Sequence, residues 1–173
     1  MRSITLSILV SSILPCCGAM AQDYPSRPIT FIVPWGPGGP GDVFARVLSD
    51  RLREPLGQTV VVENRGGANG TIGVGSVARA RPDGYTVLLS VDGPLTTIPA
   101  LTSNVPYDAV KDLQPIAIAG DGGDVVLAVP AASVAKDPRE LAELLRGNPA
   151  EANYVSSGAG FPSHIVGELY KRE

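Results

Sequence analysis

The chain has 173 residues and a formal net charge of −3, with 14 basic against 17 acidic side chains. No basic patch offers itself to nucleic acid, and one histidine beside two adjacent cysteines is a poor set of zinc ligands. The N-terminus is the first informative segment. Arg2 precedes an apolar run, Ile4 to Leu14, and Ala19-Met20-Ala21 supplies a small-x-small cleavage signal. Residues 1–21 therefore read as a secretory signal peptide, the run being too short to span a bilayer. Its removal takes away Arg2, Cys16 and Cys17, so the mature chain is slightly more acidic and has no thiol chemistry. Roughly 150 mature residues suffice for one ordinary domain.

Ile29 to Val33 reads as a buried strand. Val43, Phe44, Val47, Leu48 and Leu52 keep helical spacing between Asp42 and Leu56, and Gly57 supplies the stop. Val60-Val61-Val62 predicts a second strand, 63–70 a tight loop, Thr71 to Arg79 a short helix, 81–84 a turn, and Tyr85 to Ser90 a third strand. This β-α-β-α-β alternation predicts a parallel sheet with covering helices, an α/β fold. Residues 92–108, rich in proline and threonine, read as irregular. Residues 113–120 and 124–130 read as two further strands with a bend at 120–123. A second α/β unit then begins. Asp137-Pro138 opens a helix with Leu141, Leu144 and Leu145 on its apolar face, Tyr154-Val155-Ser156 is strand-like, and Ser163 to Lys171 can form a helix.

One device occurs three times: strand, glycine-rich turn, helix, at 34–42, 64–70 and 157–164. Glycines let a ligand approach the backbone closely, and a helix N-terminus offers unpaired N–H groups with a partial positive charge. These loops are plausible seats for an anion, although α/β folds need tight turns regardless. The first of them raises a specific alternative. Gly36, Gly38 and Gly41 fit G-x-G-x-x-G, and Glu63 ends the next strand where a ribose-binding acid would stand. Against NAD, Pro37 and Pro40 stiffen the turn, and Asp42 brings negative charge to the helix start. Free NAD is also scarce outside the cytoplasm. No lysine follows the glycines, so a Walker-type phosphate loop is excluded.

"YPSRPITFIVPWGPGGPGD", "LGQTVVVENRGGANGTIG", "ARARPDGYTVLLS", "VPYDAVKDLQPIA" and "NYVSSGAGFPSHIVGELYK" occur in this order. Together they resemble the tripartite tricarboxylate transporter receptor family, also known as the Bug family, from about residue 23 onward. The resemblance implies a periplasmic solute-binding-protein-like (type II) architecture of two α/β lobes closing on a small organic carboxylate. It implies that backbone N–H groups, Ser/Thr hydroxyls and ordered water hold the ligand with little direct help from arginine. It also implies delivery to integral membrane transporter subunits, with no cofactor and no catalysis. Carried onto this sequence, the first-lobe seat comprises Trp35, Gly36, Gly38, Gly39, Gly41 and Asp42, with Ser90 and Asp92 on the neighbouring loop. The second-lobe seat comprises Ser156, Ser157, Gly158 and His164.

Two departures stand out. Pro40-Gly41 occupy positions where the family usually has Thr or Ser before the Asp, so a hydroxyl is lost. Family members also run considerably longer. The expected organisation is a signal peptide (1–21), a nearly complete first lobe (22–123) and the beginning of a second (124–173), a receptor truncated within that lobe. Two rival readings remain at this level: an exported NAD-binding oxidoreductase using the G-x-G-x-x-G loop, and a receptor remnant without activity. Among single residues, Asp42 suits a capping or first-turn role better than a direct contact. Glu63 suits a local pair with Arg65. His164 lacks an orienting acid and a nucleophile elbow, so no catalytic triad is suggested.

Overall fold

The computed structural model describes residues 23–120 and 123–172; the expected signal peptide and part of the 120–123 bend lie outside them. At the centre stands β1 (Ile29–Val33), flanked in parallel by β2 (Val60–Asn64) and β3 (Thr86–Leu88), in the order β2-β1-β3. The register pairs Ile29 with Val60 and Val33 with Asn64 on one side, and Thr30 with Thr86 on the other. A central parallel strand is covered on both faces, so it must be apolar on both. Ile29, Phe31, Ile32 and Val33 are all buried. Burial of each such side chain contributes about 2 kcal/mol, before the entropy cost of ordering it.

Helix α1 (Pro40–Leu56) covers β1 and β2, and α2 (Thr71–Ala78) covers β1 and β3. Leu48, Leu52 and Leu56 of α1 pack on the cluster of Ile29, Phe31 and Val60. The helix begins two residues earlier than its apolar spacing suggests, because Pro40 fits the first helical position after the extended Gly39. It ends at Gly57, whose φ of 61° is the left-handed conformation that glycine adopts without strain. Val43, Phe44 and Val47 share the helical spacing but stay exposed, so the buried stripe is narrower than expected.

Later segments depart from expectation in both directions. Residues 92–108 contain two short helices, α3 (Asp92–Leu95) and α4 (Thr97–Leu101), where an irregular stretch was expected. Both are held by local bonds: Asp92 O accepts from Thr96 N–H and Oγ1, and Tyr107 Oη donates to Pro94 O at 2.5 Å. Conversely, 113–120, 124–130 and 154–156 form no strand. An apolar run becomes a strand only when a neighbouring backbone satisfies its N–H and C=O groups. Among the described residues nothing pairs with these segments, and Ile118 and Val155 are almost wholly exposed. The third glycine-rich turn therefore precedes a helix without following a strand. Two helices close the described chain as expected, α5 (Pro138–Gly147) and α6 (Pro162–Tyr170). Among the described residues no helix is long and apolar enough to cross a membrane.

Candidate functional site

Parallel strands deliver all their outgoing loops to one edge of the sheet. Here the loops after β1, β2 and β3 gather at the carboxyl edge. β1 connects through α1 to one side while β3 lies on the other, so its carboxyl end is a topological switch point, the customary ligand position in open α/β sheets. The loops lock onto one another. Arg65 N–H donates to Val33 O at 2.8 Å, and Asn64 Nδ2 donates to Trp35 O at 3.2 Å. Gly66 lies so close to the first loop that a Cβ there would come within 3.3 Å of Gly36 N. Gly73 of α2 is tighter still: a Cβ would meet Arg65 O and Pro34 at 2.7 Å.

Asp42 organises the first loop. It sits in the first turn of α1, only 3% exposed, and turns back so that Oδ2 accepts the Gly38 N–H at 2.9 Å. Arg46, one turn on, donates its Nε to the same oxygen at 3.0 Å and places Nη2 3.0 Å from Oδ1. The Arg46 guanidinium first, then the Gly38 N–H, and also the Asn64 amide, hold the carboxyl down at about 2. Gly38 takes φ of 83° to present its N–H this way. The N–H groups of Gly36, Gly39 and Gly41 donate to no group among the described residues. They lie at the loop and helix start, where the backbone favours an anion. Trp35 packs its indole over that first turn, since a Cβ at Gly41 would come within 3.3 Å of Cε3.

The third glycine-rich loop meets the second directly and the first only through it. Phe161, buried at the start of α6, packs on Gly93 of α3. Asn69 Nδ2 donates to Ala159 O at 3.2 Å, and Gly160 abuts Ile98 of α4. Gly70 abuts both Pro34 and Pro94, which joins the first loop to α3. A chain of contacts thus runs from 34–36 through 64–70 and 93–94 to 157–161. Within the third loop the hydroxyls are used locally. Ser163 Oγ accepts from Ser157 N–H and hydrogen-bonds Ser157 Oγ, Ser156 Oγ accepts from Gly158 N–H at 3.4 Å, and His164 Nδ1 accepts from Gly160 N–H at 3.4 Å.

Most of the sequence-derived site residues fall along this run. Trp35, Gly36, Gly38, Gly39 and Gly41 form the first loop and helix start; Ser156, Ser157, Gly158 and His164 form the third loop. Ser90 and Asp92 flank the entry to α3, their oxygens engaged with Val91 O and Gly93 N–H. Asp42 belongs to the same constellation, but its carboxylate is spent on Gly38 and Arg46. Glu63 forms a two-bond pair with Arg65, at 2.8 and 3.1 Å, rather than standing free for a ribose. Sequence reasoning missed Asn69 and Arg46. Asn69-Gly70 is a recognised turn dipeptide, and Asn69 takes φ of 54°. Arg46 stands at i+4 from Asp42, a spacing that could have flagged the pair. Among the described residues there is no cluster of His, Cys, Asp or Glu fit for a metal ion.

Comparisons with known proteins converge. Residues 44–173 match the model of the tripartite tricarboxylate transporter family receptor. Protein BugT of Bordetella pertussis is 39% identical over 152 residues, covering 87% of this chain and 46% of that protein. The solved periplasmic binding protein BugD superposes with a TM-score of 0.67 at 37% identity, over 86% of this chain and 49% of that one. Rpa4515 of R. palustris, solved with adipate, gives 0.72 at 31% identity, over 86% and 50%. The chain spans about half the length of the curated relatives it matches.

Proposed function

The chain belongs to the tripartite tricarboxylate transporter receptor family, and from that premise we propose that it is the carboxylate-gripping part of an exported solute receptor. Its fold is that of the periplasmic binding proteins, α/β with a parallel sheet. On this reading residues 22–123 are the first lobe and 124–173 the start of the second. The ligand is a small organic carboxylate, and the partners are integral membrane subunits of a tripartite transporter. One observation carries the proposal. Unused N–H groups of Gly36, Gly39 and Gly41 lie at the switch point, in a run of contacts that reaches the glycine-rich loop before α6. Such donors stabilise a carboxylate without a buried cation, directly or through water. Adipate, the ligand of one structural neighbour, is the natural first probe.

The oxidoreductase reading is disfavoured by two observations: Glu63 is paired with Arg65, and the Gly38 N–H is already taken by Asp42. Thermal unfolding of the chain from Gln22, with and without adipate, succinate or NAD, tests the choice. A ligand that binds only the folded state adds about 2.7 kcal/mol at a hundredfold excess over Kd. An upward shift with a dicarboxylate and none with NAD is expected. A shift with NAD alone would overturn the receptor reading.

A further inference from the structure

The acid in the first turn of α1 poses an electrostatic problem. A carboxylate ligand on the Gly36–Gly41 backbone would approach Asp42, whose own carboxylate is 2.9 Å from Gly38 N. Two like charges at such range repel strongly when water is scarce, and Asp42 is almost wholly buried. The local structure answers with one cation. Arg46 reaches Asp42 through Nε and Nη2, both at 3.0 Å, with more than half of its own side chain in solvent. No other ion pair engages Asp42 among the described residues.

We infer that Arg46 is a positioning residue of the anion seat: it cancels the Asp42 charge and so lets Asp42 pin the Gly38 turn without repelling the ligand. This rests on the receptor reading. Arg46 reaches the ligand only through Asp42. The arrangement separates two roles that one side chain cannot combine. A negative oxygen shapes the loop by accepting the Gly38 N–H, and a positive group behind it returns the site to neutrality. An ordinary i,i+4 pair on a helix surface would add a little helix stability and leave ligand affinity untouched.

The test uses the chain itself in five forms: wild type, R46M, R46K, D42N/R46M and D42A. Two quantities are read, the Kd for adipate by calorimetry and the hydrogen-exchange rate of the Gly38 amide. R46M should weaken adipate about tenfold or more, because it leaves an uncompensated carboxylate at the seat. R46K should keep Kd within about threefold of wild type, since it restores the charge. D42N/R46M should recover most of the affinity, since the charge is gone and the Asn oxygen still accepts from Gly38. Equal affinity for wild type and R46M, or no recovery in the double variant, would overturn the inference. If wild type binds no dicarboxylate yet Gly38 exchange quickens in D42A, the loop-pinning role is supported and the receptor reading is what fails. Wild type, R46M, R46K and D42N/R46M all keep an acceptor oxygen at residue 42, so their Gly38 exchange should be alike, and D42A should exchange faster; no quickening in D42A would overturn the pinning role.

Discussion

Asp42 shows how one side chain sets the chemistry of a loop. Its carboxyl is held at about 2, below the ordinary 3.8, by Arg46 and then by the Gly38 N–H. A group whose folded pKa is depressed contributes stability that is present above its unfolded pKa and lost as pH falls through the folded value. The chain should therefore lose stability between about pH 4 and pH 2, and D42N should show less of that loss. Melting temperature followed across that window checks it; identical slopes for both proteins would contradict the account. Gly73 makes a second prediction at this scale. A Cβ there would strike Arg65 O and the Pro34 side chain at 2.7 Å and the Pro34 backbone at 2.8 Å, groups that have nowhere to move. G73A should destabilise the chain by about 1–3 kcal/mol, measurable by urea unfolding. Nothing in the sequence distinguishes Gly73 from the glycines beside it; only the approach of α2 to the first loop does.

Among the elements, local grammar was readable and pairing was not. The α5 start was legible because Asp137 followed by Pro138 is a local signal, and the Asp137 carboxylate does accept from Arg139 and Glu140 N–H. D137A should cost about 1 kcal/mol of helix stability, visible as faster amide exchange in 139–142 and little change in β1. The stop of α1 at Gly57 was legible for the same reason. Strands are different, because their hydrogen bonds come from another part of the chain. β1, β2 and β3 find partners within 29–88, so their apolar runs were read correctly. The runs at 113–120, 124–130 and 154–156 have similar composition but no partner among the described residues. The short helices after β3 escaped notice because Pro and Thr dominate there, and Tyr107, thirteen residues on, supplies a bond to Pro94 that no local pattern announces.

Across the whole molecule, the third glycine-rich loop is tied to the second and to α3 and α4 by few contacts. Phe161 on Gly93 and Asn69 on Ala159 carry much of that junction. F161A should weaken it by about 3 kcal/mol or somewhat less than a fully buried phenylalanine would lose, and proteolysis within 113–136 should accelerate while 29–88 stays intact. The first two glycine-rich loops were legible as neighbours, since the parallel topology that unites them follows from the β-α-β alternation; the place of the third, which follows no strand, was not. What the loops do with their polar groups was not legible, because Asp42, Ser156 and His164 all turn back onto backbone N–H groups a few residues away. The chain belongs to a receptor family, and the account's central claim is that backbone N–H groups hold the carboxylate. The most direct measurement is the amide spectrum of the 15N-labelled chain titrated with adipate. The account predicts saturable shifts at Gly36, Gly39 and Gly41 together with Ser157 to Gly160. Saturable shifts confined to other parts of the chain, or none at all, would contradict it.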